Sequence, residues 1–184
     1  MIRDVDEMPW IGEGRALDLA NTVIVGGSRG EDLDFFTDPA LTARWRQQVS
    51  DDRLARMPLE RLVELRAVVR EALDAAHKSE PLPPHLRARI NGLAADAPLV
   101  LELDEAGLLR QVGRGGPVDA ELARETLQLI AAPDTFTVRR CPAPSCGMFF
   151  VPRRRNQGWC TERCGSRARS TRRHRRGGRA SDVT

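Results

Sequence analysis

The chain has four cysteines, Cys141, Cys146, Cys160 and Cys164, spaced Cys-x4-Cys-x13-Cys-x3-Cys. Two close pairs joined by a short loop are what a tetrahedral metal needs: each pair curls round one side of the ion, and the loop lets the pairs meet. Four thiolates fill the coordination sphere and leave no position for a substrate, so such a centre is structural. Cys160 and Cys164 stand one helical turn apart, which puts both sulfurs on one helix face. The first pair sits in CPAPSCG, where proline fixes the turn and Gly147 permits a positive φ that points backbone N–H groups at sulfur. Two disulfides would require an oxidising compartment. Thiolate-rich sites select zinc, iron–sulfur clusters or copper(I). One structural Zn2+ per chain is the reading adopted, with an iron–sulfur cluster as the alternative.

The cysteines lie among arginines. The net charge of +3 conceals a division: residues 1–138 carry 16 basic and 24 acidic side chains, while residues 139–179 carry 13 arginines against one acid, Glu162. An acidic body with a strongly basic C-terminal part suggests a polyanion-binding module. The helix expected over 161–176, stopped by Gly177-Gly178, holds Arg163, Arg167, Arg169, Arg172, Arg173, Arg175 and Arg176, with Ala168 its only clearly apolar residue. It has no face to bury, and the best partner for arginines that otherwise repel one another is phosphate, with release of counterions. Arg153, Arg154 and Arg155 extend the surface from a turn expected between a strand at 148–151 and a hairpin closed by Trp159. Phe149, Phe150 and Trp159 suit a miniature core better than base stacking, because so small a module has little else to bury. The competing picture is a solvated charge run, or a basic part folded back on the acidic body.

The elements that must position these residues read as follows. Apolar spacing predicts helices over 14–24 and 59–78, the latter carrying Leu62, Val63, Arg66, Val69 and Leu73. Asp38-Pro39 caps and opens a helix through Trp45. A shorter helix follows Pro83-Pro84 through Leu93, and another runs from Pro117 to about Ala131. Between them Leu99, Leu101 and Leu103 alternate, and 108–112 returns as the second strand of a hairpin. No run of apolar residues is long enough to cross a membrane. The N-terminus, MIRDVDEMPW, is acidic and mixed, so no secretion signal is expected and a cytoplasmic location follows.

The stretch 141–176 resembles the CGNR zinc finger: a cysteine pair, an aromatic strand, a basic turn, Trp159-Cys160, then Cys164-Gly165-Ser166-Arg167 opening a basic helix, with serine where the family name has asparagine. GRALDLANTV at 14–23 is similar to the leucine-aspartate-x-x-asparagine-threonine stretch of the ABATE domain that usually precedes this finger. The resemblance implies an α+β chain: a mainly helical N-terminal domain with a β-hairpin over 1–134, a small treble-clef-like zinc finger over 135–177, and a disordered tail over 178–184. It also implies a bacterial, stress-induced transcription regulator that binds double-stranded DNA through the finger, its body sensing a small-molecule effector or forming a homodimer. An RNA-binding or ribosome-associated protein and a protein–protein adaptor are the alternatives.

Within the body, Asp18, Asn21 and Thr22 could face a ligand pocket, with Arg66 or Arg70 holding an anionic group. The plainer expectation is local: Asn21 and Thr22 cap the helix end and Asp18 pairs with an arginine. No nucleophile–base motif, phosphate-cradling glycine loop or open zinc site is present, so no enzymatic activity is expected.

Overall fold

In the computed structural model, which describes residues 11–26, 31–131 and 137–181 with side chains as far as Arg172, the expected helix over 14–24 is shorter. Helix α1 (Arg15–Ala20) stops where Thr22 Oγ1 donates to the Leu19 carbonyl at 2.8 Å. A hydroxyl that takes a last-turn carbonyl, followed by β-branched residues, favours leaving the helix. Val23 and Ile24 form β1 (Val23–Ile24), antiparallel to β2 (Leu33–Asp34).

A 3-10 turn, Phe35–Thr37, leads to α2 (Pro39–Gln48), whose N-cap Asp38 accepts from the amides of Ala40 and Leu41 as the Asp-Pro pair foretells. The short α3 (Asp52–Ala55) is capped the same way by Asp51. Helix α4 (Leu59–Lys78) ends at Ser79, which adopts the left-handed region at φ 58°. Helix α5 (Pro84–Ala94), the hairpin of β3 (Leu99–Leu103) and β4 (Leu109–Gly113), and α6 (Val118–Ile130) complete the body. The finger consists of β5 (Arg139–Arg140), β6 (Phe149–Phe150) and α7 (Glu162–Ser181). The expected α+β class holds: a mainly helical body with a hairpin, then a small cysteine-bearing unit.

Two expectations for the finger need correction. β6 pairs back with β5, Arg139 opposite Phe150 and Arg140 opposite Phe149, rather than forward with Trp159. The cysteine knuckle is therefore the hairpin turn, and residues 152–158 are a loop. Helix α7 continues through Gly177 and Gly178 to Ser181 instead of ending before them. Glycine costs a helix only about 1 kcal/mol relative to alanine, and it ends one only where a left-handed cap is formed. Residues 182–184 of the expected tail lie outside the described residues.

Helix α4 is the centre of the body, packed on α1, α5 and α6. Leu62, Leu65, Val69 and Leu73 face a large cluster with Leu17, Leu19, Ile24, Phe35, Trp45 and Leu122. Val68 and Ala72 face a second, with Leu86, Ile90 and Ala123. Val63 lies off both stripes and is 40% exposed. The larger cluster does not stop at the finger: Val138, Cys141, Cys146, Met148, Phe149, Phe150, Cys164 and Ala168 belong to it. The boundary expected at 134/135 falls outside the described residues, and on either side of it the apolar core is one.

Buried polar residues sit in that core, Arg66 and Asp18 among them. Arg66 makes a two-pronged bond to Asp34 at 2.6 and 2.7 Å, meets Thr22 Oγ1 at 3.0 Å and lies 4.6 Å over the Phe36 ring. Burial works against ionisation of Asp34, but the Arg66 guanidinium holds its carboxyl below the ordinary range. Asp18 is 1% exposed. Its Oδ1 accepts from the Gly12 amide at 2.9 Å, and its Oδ2 meets no donor among the described residues. Burial pushes this carboxyl up from 3.8 to about 6.

The folded state therefore holds the Asp18 proton more tightly than the unfolded chain does. Between the two values it binds more protons than the unfolded chain, so this group's contribution falls as pH rises through about 4 to 6 and stays low above that. Replacing it as Asp18→Asn should raise the melting temperature relative to wild type at pH 7–8, and the gain should shrink towards pH 4. Thermal melts of both proteins across this range check it; a difference independent of pH would refute it.

Candidate metal centre and basic surface

The cysteine knuckle is built by backbone geometry. The Cys141 amide donates to the Met148 carbonyl at 2.8 Å and closes the turn. Ser145 and Gly147 both take positive φ, 55° and 67°. At Gly147 a Cβ would also lie 2.8 Å from Val25 Cβ, so the body itself excludes a side chain there. Cys160 precedes α7, and Cys164 lies in its first turn, where its amide donates to Thr161 Oγ1 at 3.2 Å. At Gly165 a Cβ would come within 3.1 Å of the Trp159 ring. Glycine here lets the helix lie against the indole.

The four sulfurs all lie within 4.8 Å of one another. The separations are 3.6 Å for Cys146–Cys160, 3.5 Å for Cys160–Cys164 and 3.7 Å for Cys164–Cys146. A tetrahedron with Zn–S bonds of about 2.3 Å has edges of about 3.8 Å. The set thus fits one ion. A two- or four-iron cluster spreads its cysteine sulfurs across several metals and cannot be held at this spacing, and the cysteines are not joined as disulfides.

Sulfurs this close cannot all be thiolates on their own. Hydrogen bonding from Cys146, then Cys160, draws the Cys141 thiol down to about 7. Neighbouring sulfurs, Cys141 first, hold Cys164 below the ordinary thiol range and push Cys146 and Cys160 above it. A divalent cation takes the place of the shared protons, which is how metal binding and proton release are coupled. Two sulfurs also accept bonds from nitrogen: Cys141 from the Cys160 amide at 3.5 Å and Cys164 from Arg167 Nη2 at 3.2 Å.

A family model described as "Putative stress-induced transcription regulator", ABATE, matches residues 13–133. The chain belongs to the ABATE family. The CGNR zinc finger model matches residues 137–177, and Cys141, Cys146, Cys160 and Cys164 are the residues positioned to hold one Zn2+. No curated protein matches the chain.

Of the five polar residues singled out in the ABATE body, Asn21 and Arg70 meet the CGNR finger, Thr22 and Arg66 meet each other, and Asp18 stands apart. Asn21 Nδ2 donates to the Phe149 carbonyl at 2.9 Å, and its Oδ1 accepts the Phe149 amide at 2.8 Å. One side-chain amide thus pairs with β6 as a neighbouring strand would. Arg70 donates to the Ala20 carbonyl and lies 5.4 Å over the Phe149 ring. Thr22 caps α1 and meets Arg66, as described above. Asp18 binds the Gly12 amide rather than an arginine, and its own carbonyl accepts from Trp45 Nε1 at 3.1 Å. The backbone adds a further tie, from the Val25 amide to the Cys146 carbonyl at 3.1 Å.

Sequence reasoning missed this junction, and Arg139 and Arg140 with it. Arg140 meets Asp74 at 3.1 Å, and its amide donates to His77 Nδ1 at 3.3 Å; Arg139 Nη1 donates to the Gln157 carbonyl. Charge alone could not separate these structural arginines from those left outside.

Of the arginines expected on the basic surface, Arg153 pairs with Glu13 at 2.5 Å. Arg154, Arg155 and Arg172 are exposed, and among the described residues no carboxylate meets them. Arg163 is exposed; Arg169 is exposed and lies 5.7 Å over the Trp159 ring. Arg167 is half-buried against Cys164. The side chains of Arg173, Arg175 and Arg176 lie outside the described residues. A groove of about 780 Å³ separates the 153–160 loop from the start of α7, lined among others by Arg153, Arg154, Trp159, Ser166 and Arg169.

Because the finger shares the body's core, removing zinc should lower the melting temperature of the whole chain in a single transition. Calorimetry with and without a chelator, alongside elemental analysis giving one zinc per chain, tests this. Two separate transitions would refute the shared core, and iron in the protein would refute the zinc. Asn21→Ala leaves two buried backbone groups of β6 without partners, at about 1–3 kcal/mol each. It should lower stability in denaturant titrations by at least that amount while leaving zinc stoichiometry at one.

Proposed function

We propose that this protein is a DNA-binding transcription regulator whose CGNR finger engages duplex DNA through α7 and the 153–155 turn. The observation that supports it is the exposed arginine surface beside the metal centre. Helix α7 spans 20 residues, about 30 Å, and among the described residues no extensive packing joins it to a body helix. That counts against an arginine helix folded back on the acidic body. Arginine suits a phosphate backbone because its planar fork can hold two oxygens at once. The groove beside Trp159 and Ser166 is where a phosphate or a base edge would approach the finger.

For the body we propose effector sensing in a cytoplasmic protein. The polar groups of Asn21, Thr22, Arg66 and Arg70 are engaged within the fold. The space for an effector is a cleft of about 340 Å³ between α1 and α6, lined by Ala16, Gln128 and Leu129 and bordered by Val151 of the finger. A ligand there would touch both units.

If about six phosphates are neutralised, affinity for duplex DNA should fall about a thousandfold between 50 and 200 mM salt. Replacing Arg172, Arg173, Arg175 and Arg176 by alanine should weaken all sequences alike and flatten the salt slope. Fluorescence titration of labelled duplex, with structured RNA in parallel, checks this. Tighter binding of RNA would favour the ribosome-associated reading. Failure to bind either nucleic acid would favour an adaptor, and a quadruple variant that binds as wild type does would refute the role given to α7.

A further inference from the structure

The four zinc ligands are unequal. Cys141, Cys146 and Cys164 are buried, whereas Cys160 is partly exposed. Two of the buried sulfurs accept a bond from nitrogen: Cys141 from the Cys160 backbone amide and Cys164 from the Arg167 guanidinium. Among the described residues no nitrogen donor meets the Cys160 sulfur; its contacts are with other sulfurs, Cys164 at 3.5 Å, Cys146 at 3.6 Å and Cys141. Cys160 also lines the open groove beside Trp159, so a small solute can reach it.

Hydrogen bonds to a zinc-bound thiolate draw charge from sulfur and make it a poorer nucleophile, and burial blocks approach. Burial covers three ligands, a nitrogen donor covers two of those, and Cys160 has neither protection. We propose that Cys160 is a site of oxidation by hydroperoxides and that its oxidation releases the zinc.

The chemistry balances with one hydroperoxide as two-electron oxidant. The Cys160 thiolate attacks one peroxide oxygen; the S–O bond forms, the O–O bond breaks, and the departing hydroxide or alkoxide takes a proton from water. The product is a sulfenic acid, the first and reversible step of cysteine oxidation. A neighbouring thiolate, Cys164 or Cys146, then attacks that sulfur. The S–S bond forms, the S–O bond breaks, and hydroxide leaves and is protonated. Two of four ligands are consumed, and the remaining pair cannot close a tetrahedral site. A thiol reductant restores the pair and with it the site.

The inference rests on the zinc centre and not on DNA binding, so its test contains no nucleic acid. Full-length, zinc-loaded protein is treated with hydrogen peroxide at one to five equivalents. Dimedone traps sulfenic acid, peptide mass spectrometry locates it, and a chromogenic chelator follows the metal. The expected result is an early adduct mainly on Cys160, then a disulfide joining Cys160 to Cys164 or Cys146, with loss of one zinc per chain that thiol reduction and added zinc reverse. In Arg167→Met the share of adduct on Cys164 should rise. An early adduct spread evenly, or found first on another cysteine, would overturn the assignment, as would retention of zinc at five equivalents. An unchanged Cys164 share in Arg167→Met would overturn the protection assigned to Arg167.

Discussion

Four sulfurs within 4.8 Å of one another need a cation between them, and much of the C-terminal architecture follows from that need. The ion fixes the knuckle, and the knuckle fixes the register of β5 against β6. That register presents the Phe149 backbone to Asn21. The Phe149 ring in turn meets the guanidinium groups of Arg70 and Arg140. A module of about forty residues rarely supplies enough core of its own. Here it borrows the body's, so the metal that organises the finger also secures one end of the helical domain.

Charge is divided by neutralisation as much as by position. Three inward-facing arginines are matched to carboxylates: Arg66 to Asp34, Arg140 to Asp74, and Arg15 to Asp51, Glu121 and Glu125. Exposed pairs of this kind contribute little stability, but Arg66 is buried, and a buried charge without its partner is costly. On the finger, Arg154, Arg155 and Arg172 have no such carboxylate among the described residues. The same residue type serves as internal mortar in one half and as outward charge in the other.

The metal ligands were legible because their chemistry demands a local pattern: two pairs, a turn and a helix. Helix α4 was legible to the residue because its apolar period runs unbroken between Pro58 and Ser79. The end of α1 was not, since Val23 and Ile24 continue a helical period and only Leu33 and Asp34, ten residues on, claim them as a strand. β6 likewise could pair forward or backward by pattern alone, and the closure of the knuckle decided it. Asn21 read as a helix cap because a short polar side chain at a helix end usually is one. Its partner lies 128 residues away, and nothing in the neighbouring residues announces it.

That separation has a consequence for how the molecule is made. Chains emerge from the N-terminus, and domains generally fold as units in that order. The body can bury most of α4 before Cys141 has been synthesised, but its largest cluster stays open on the side that Phe149, Phe150 and Met148 later cover. Asn21 must wait with its amide unpaired until translation has passed Phe149. Contacts so distant in sequence form slowly. Zinc capture therefore follows the folding of the body, and the chain passes through an interval in which a nearly finished domain exposes the apolar seat of a finger that does not yet exist.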